Sequence, residues 1–331
     1  MLRWALLVMA LLAPAQPALG QRFDGFNVIV APGHRFGSAS ARESLAAAKR
    51  AGAAAVAIVP FLWQHSPRHA EIVRGDDMSD AELRLSIRDA RALGLKVMVK
   101  PHVWVDGSWA GAVDPPTPEA RDVWFGRYRS EIARIARVAA EEGADVLSIG
   151  TELKLTTQHP QWREIILAAR AAFAGTLLYV AHNVEEAEAV EFWPDLDAIG
   201  VSLYPPLGGG RDRDAWRSIM DGVAERLDRL AARFGKPVIV AEIGLRSAVG
   251  AAAKPWESAE ERVAAPDPGL QANVLADWLV ALDRPAIGGV LVWRWFTDPA
   301  AGGLADTDFT VQGKPAERVL LCRNVPGDCR R

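Results

Sequence analysis

The chain has 331 residues, a net charge of −3 and 50% hydrophobic residues. This is enough apolar material for one large core, and the length suits a single barrel better than two small domains. The slight acidity leaves no electrostatic footprint for nucleic acid, so none is expected as a partner.

The N-terminus opens with Arg3, an apolar run at 4–12 and a small, proline-broken stretch at 13–20. That order reads as a signal peptide over residues 1–20, with Ala18-Leu19-Gly20 as the cleavage site. The run is too short to span a bilayer, and no cysteine marks a lipoprotein. The mature chain, 21–331, is expected to be secreted or periplasmic, with no membrane contact after cleavage.

Eight apolar, β-branched segments follow, at 25–30, 54–60, 96–99, 145–149, 176–181, 198–203, 237–241 and 288–293. The third is read as running on into Pro101-His102-Val103-Trp104. Between them lie helical patterns at 40–51, 79–93, 118–142, 162–173, 185–192, 214–234 and 269–282. Ser79 and Glu82 have the spacing of a capping box, and Gly52, Gly94 and Gly143 stop the first three helices. Strands apolar on both faces, alternating with helices, indicate a parallel sheet covered by helices. Eight repeats predict a single (β/α)8 TIM barrel. The alternative, an open doubly wound sheet, lacks a G-x-G-x-x-G after its first strand.

His34, Trp63, His102, Glu152, Asn183, Tyr204, Glu242 and Trp293 all fall at or just after strand C-termini, the face where barrel active sites form. Two of them stand out. Glu152 and Glu242 close the apolar runs of the fourth and seventh strands, where a carboxylate is costly unless it has work to do. Two carboxylates facing each other across a barrel mouth suit hydrolysis of a glycosidic bond. The bland reading pairs Glu152 with Lys154 and Glu242 with Arg246 as structural salt bridges; for both glutamates together it is the weaker reading. His102, Asn183 and Trp109 lean toward sugar contact rather than packing. Most of the twelve tryptophans are expected in the core, with Trp63, Trp256 and Trp295 open to either role.

There is no H-E-x-x-H, and His65 and His69 flank Pro67 in a loop-like stretch, so no metal is expected. A G-x-S-x-G motif is absent too. Cys322 and Cys329, the two cysteines, enclose a Pro-Gly turn. In an exported chain they are expected to close a small disulfide loop; two free thiols or a metal pair are the alternatives.

Several short segments, in this order along the chain, resemble glycoside hydrolase family 113, a branch of the clan A retaining (β/α)8 glycosidases. They are Val99-Lys100-Pro101-His102, Trp109-Ala110-Gly111, Ile149-Gly150-Thr151-Glu152-Leu153 and Ala241-Glu242-Ile243-Gly244. Further along come Ser247 through Pro255-Trp256, then Val290-Leu291-Val292-Trp293-Arg294-Trp295 and Gly313-Lys314-Pro315-Ala316. The resemblance implies endo-acting β-mannanase-type chemistry on β-1,4-linked backbones, without a cofactor. It makes Glu152 the acid/base and Glu242 the nucleophile, with Tyr204 bonded to the nucleophile and Trp293 the platform under the sugar at the cleavage point. The chain departs from the clan in carrying Thr151 where most members have asparagine, and from mannan-cleaving relatives in lacking an aromatic near His182-Asn183-Val184-Glu185. With Glu242 ionised, its charge is expected to keep Glu152 protonated.

The expected partner is therefore a polysaccharide or oligosaccharide, acted on by a monomer. β-Mannan is the lead, and xylan, β-glucan or a bacterial exopolysaccharide are alternatives. A competing class is a non-catalytic carbohydrate-binding barrel, against which both intact carboxylates argue. A barrel lyase dependent on metal is a third reading.

Overall fold

The computed structural model describes residues 22–75 and 78–324. The expected signal peptide and Cys329 lie outside them. Cys322 is disulfide-bonded.

In chain order the elements are β1 (Gly25–Ile29), α1 (Ala39–Arg50), β2 (Ala55–Ile58), β3 (Phe61–Gln64), β4 (Val73–Arg74), α2 (Asp80–Ala92), β5 (Lys96–Val99) and β6 (His102–Val105). There follow α3 (Pro118–Glu141), β7 (Val146–Thr151), α4 (Trp162–Ala172), β8 (Thr176–His182), α5 (Asn183–Ala189), β9 (Ile199–Leu203) and α6 (Arg213–Phe234). The last are β10 (Val238–Gly244), α7 (Pro268–Ala281), β11 (Ile287–Phe296) and α8 (Val319–Asn324). Strands β1, β2, β5, β7, β8, β9, β10 and β11 close into a parallel barrel, as expected.

Local signals explain the helices. Ser38 caps α1, its hydroxyl accepting from Ala41 N at 3.1 Å. Ser79 and Glu82 form the expected capping box on α2, a contribution of about 1 kcal/mol. Gly235 takes the left-handed conformation that ends α6.

Two apolar layers result. Inside the barrel, Phe23, Ala55, Met98, Leu178, Ile239 and Leu291 pack together. Outside it, strand residues meet the inner faces of the helices in a much larger cluster. Trp124, Trp162, Trp193, Trp278 and Trp295 are fully buried in this outer layer. Trp295 thus belongs to the core and not to a cleft wall: its ring centroid is 4.8 Å from that of Phe26, and its indole N–H donates to Ser44 Oγ at 2.8 Å.

One element has no local cue in the sequence. Residues 102–105 do not extend β5. They form β6, which pairs in parallel with β3, while β4 pairs antiparallel with β3. This three-stranded sheet stands on the C-terminal ends of β2 and β5. Its inner face (Leu62, Gln64, Val103, Val105) is buried.

Candidate active site

Both glutamates sit where the barrel ladder is irregular. The β7–β8 register shifts between Ser148 and Thr151, and β10 shifts against β9 between Val240 and Glu242. Such irregularities re-aim side chains at a barrel rim. At β7, Ser148 Oγ donates to Gly150 O at 2.6 Å, and Glu152 itself has φ = 57°, uncommon for a residue with a side chain.

The Glu242 side chain is nearly buried, and each carboxylate oxygen has a partner. Tyr204 Oη donates to Oε1 at 2.6 Å, and the Lys100 ammonium donates to Oε2. Lys100 is 0% exposed, and its ammonium also lies 5.2 Å from the centroid of the Trp293 ring. Burial, then the Glu242 charge, push Tyr204 well above the ordinary phenol range, so it remains a neutral donor. The local partner weighed for this glutamate, Arg246, is engaged elsewhere: it donates to Thr307 O at 3.0 Å and to Ser258 O and Arg262 O at 2.9 Å.

Glu152 is bonded through one oxygen only. His182 Nδ1 lies 3.1 Å from Oε1, and Ser202 Oγ also donates to Oε1. Among the described residues Oε2 has no protein hydrogen bond. Lys154 is not a partner of this carboxylate.

Asn183 decides how His182 is protonated. Its Oδ1 accepts from Tyr204 N at 2.8 Å, which turns Nδ2 toward His182 Nε2 at 3.0 Å. An amide N–H pointing at Nε2 requires that nitrogen to accept. In the neutral form of the ring the proton therefore lies on Nδ1, directed at Glu152. Both polar groups of Asn183, whose φ is 55°, thus have partners within the protein.

The electrostatics differ from expectation. Burial raises Glu152, but the hydrogen bond and charge of His182, with smaller help from His102 and Ser202, outweigh it and bring the carboxyl down to about 2. Reciprocally, burial lowers His182, and Glu152 more than restores it, leaving it above the ordinary imidazole value. The sequence reading had Glu242 alone setting the charge of Glu152. It could not weigh His182, which has no recognisable spacing to Glu152.

The remaining residues surround this pair. Burial holds His102 below its usual value although the charges of both Glu152 and Glu242 act on it, which places it within electrostatic reach of both carboxylates. Trp109 packs edge-on against His182 with ring centroids 4.8 Å apart, its indole lying over Gly111. A Cβ on Gly111 would stand 2.2 Å from Trp109 Cη2, so only glycine admits the ring there. Thr151, in the position of the missing asparagine, donates its hydroxyl to Pro101 O at 2.9 Å and ties β7 to the Lys100-Pro101-His102 turn. Two of the late segments are tied to each other: Lys314 Nζ donates to Ser247 Oγ at 2.8 Å and Asp306 Oδ1 at 2.6 Å. Lys100, Ser202 and His182 are site residues that sequence reasoning missed. A lysine closing an apolar strand run was the one available signal.

A family model described as Glycoside Hydrolase Family 113 matches residues 26–314. No curated protein matches the chain. Among solved structures, the GH113 β-mannanase AaManA from Alicyclobacillus acidocaldarius, in complex with ManMIm, superposes with a TM-score of 0.83 at 28% identity, covering 94% of this chain and 99% of that one. A GH113 β-1,4-mannanase complex superposes at 0.80 with 26% identity, covering 91% and 97%. A β-glucuronidase from Ruminococcus gnavus shares the fold alone, at 0.62 and 13% identity, covering 92% of this chain and 49% of that one. The chain belongs to glycoside hydrolase family 113 and is a retaining glycoside hydrolase.

Proposed function

We propose that the chain is an endo-acting β-1,4-mannanase, exported to the periplasm or beyond and working as a monomer. One observation carries the assignment of roles, the unequal bonding of the two carboxylates. Both oxygens of Glu242 accept from donors, a buried lysine and a phenol, which suits a nucleophile. Glu152 is anchored through Oε1 and keeps Oε2 open, which suits an acid/base that must reach the glycosidic oxygen.

In the first step Glu242 attacks the anomeric carbon and forms a glycosyl ester, and Glu152 gives a proton to the departing oxygen. Bound sugar excludes water from Glu152 and so adds to burial, the influence that favours its protonated form. In the second step Glu152 takes a proton from water, the water oxygen bonds to the anomeric carbon, and Glu242 leaves as a carboxylate. Lys100 and Tyr204 stabilise that departing charge. Trp293 lies under the sugar, His102 and Trp109 contact its hydroxyls and edge, and Asn183 acts from behind by fixing the His182 tautomer. Export is supported by the N-terminal segment and the disulfide at Cys322. Mannan as substrate is supported by the likeness to the two mannanases named above.

The test is reducing-end release by the chain from Gln21 onward on β-mannans, xylans, β-glucans and bacterial exopolysaccharides, with Glu152→Ala and Glu242→Ala alongside. Cleavage of mannan lost in both variants is expected. Cleavage of a different polysaccharide alone would overturn the substrate, and an unimpaired Glu242→Ala would overturn the nucleophile.

A further inference from the structure

The outer face of the three-stranded sheet is aromatic. Alternation along β3 and β6 places Phe61, Trp63, His102 and Trp104 on one side, opposite the buried Leu62, Gln64, Val103 and Val105. The parallel register sets Phe61 beside His102 and Trp63 beside Trp104. The rings touch in sequence: His102 to Phe61 at 5.8 Å between centroids, Phe61 to Trp104 at 6.1 Å, Trp104 to Trp63 at 5.7 Å. Trp104 is 49% exposed, an unusual position for a large indole on a well-packed sheet.

This track has a beginning and an end. It starts at His102, the residue on which both catalytic carboxylates act. It ends at a cavity of about 200 Å³ lined by Trp63, His65, His69, Glu71 and Asp106. Those side chains offer imidazole and carboxylate groups suited to hydroxyls, with His65 Nδ1 and Asp106 Oδ2 3.6 Å apart. Flat apolar rings followed by hydrogen-bonding groups match a pyranose chain, which is apolar on its ring faces and polar at its edges.

We propose that Trp104 and Trp63 form a distal subsite that binds pyranose units of a β-linked polysaccharide outside the cleavage point, with the His65–Asp106 rim receiving the hydroxyls of the outermost unit. The inference rests on the polysaccharide hydrolase reading above and extends it to chain-length preference. Long chains gain binding at this face, and short ones that fill only the cleavage point do not.

The experiment compares wild type with Trp104→Ala and Trp63→Ala on oligosaccharides of increasing length and on the polymer that wild type cleaves best. Loss of one stacked indole should lower kcat/KM on the polymer by about 10- to 30-fold. The effect should fall mainly on KM and be under about twofold on the shortest substrate cleaved. Equal losses on short and long substrates, or none on the polymer, overturn the proposal. If wild type cleaves nothing, the functional reading fails separately. The face is then read by affinity electrophoresis of Glu242→Gln against Glu242→Gln/Trp104→Ala through gels of galactomannan, glucomannan, xylan and β-glucan. Retardation abolished by the second substitution supports the subsite, whereas retardation unchanged or absent in every gel overturns it. Thermal unfolding of each variant checks that the fold is intact.

Discussion

Replacing Lys100 by methionine tests whether the buried cation holds the nucleophile. Lys100 has no exposed surface and its ammonium bonds to Glu242. Methionine keeps much of the stem's volume but leaves a carboxylate in the barrel mouth with the Tyr204 hydroxyl as its one remaining partner among the described residues. Removing one member of a buried ion pair costs roughly 3–5 kcal/mol, because the other charge stays desolvated. For a chain of this length the unfolding entropy is on the order of 0.6 kcal/mol/K, so the melting temperature should fall by about 5–8 °C. Two further variants separate this charge effect from simple packing. Glu242→Gln leaves Lys100 unpaired and should be destabilised too. The double variant Lys100→Met/Glu242→Gln buries neither charge and should recover most of the loss. Activity should not follow stability: Lys100→Met should lose about 100-fold or more in kcat/KM, and the double variant should be inactive. Calorimetry on the four proteins, with reducing-end assays, makes the comparison. If the double variant is destabilised by the sum of the two single losses, Lys100 and Glu242 are not coupled. The account of the site would then be wrong.

Three other outcomes follow from the same geometry. Tyr204→Phe keeps the ring and deletes the 2.6 Å bond to Glu242; a hydrogen bond to a charged group contributes about 1.5–3 kcal/mol, so kcat should fall by about 10- to 150-fold, most clearly where release of the glycosyl ester limits turnover. Steady-state rates with a good leaving group check this, and a change under about threefold would remove Tyr204 from the account. His182→Leu removes the donor and the charge that hold Glu152 near 2; burial should then prevail and carry Glu152 above its ordinary 4.5, as followed by carboxyl carbon NMR on glutamate-labelled protein. A titration still near 2 would show that His182 is not the cause. Glu186 is buried beside the site, accepting from Tyr179 Oη and His182 N at 2.6 Å each, and burial pushes it up to about 7 against those bonds. Since its folded value is above the unfolded one, the folded state binds the extra proton between about pH 4.5 and 7, and stability declines across that window as pH rises. Glu186→Gln should therefore gain on wild type across the same window, by up to about 3 kcal/mol; parallel melting curves from pH 4 to 8 would contradict it.

The barrel was legible in the chain because its cues are local. Each strand is a short β-branched run, and most helices carry a start or stop signal within a few residues, as the Ser79–Glu82 box shows. Glu152 and Glu242 were legible for a related reason: a carboxylate closing an apolar strand conflicts with its own surroundings. Where a cue depended on pairing, it failed. Residues 102–105 continue an apolar stretch and look like more of β5. Only their partner, β3, some forty residues earlier, makes them a separate sheet.

The sequence by itself determined the strand–helix alternation, the two carboxylates and the family they signal. Tertiary structure alone decided what each carboxylate is bonded to. Lys100 reaches Glu242 across 142 residues of chain, and Ser202 reaches Glu152 across 50. It also decided which tryptophans stay exposed, sending Trp124, Trp162 and Trp295 into the core and leaving Trp104 and Trp109 at the barrel mouth. The physical reason is that composition and spacing govern the backbone within a few residues. Charge state, tautomer and exposure depend on neighbours that only barrel closure brings together.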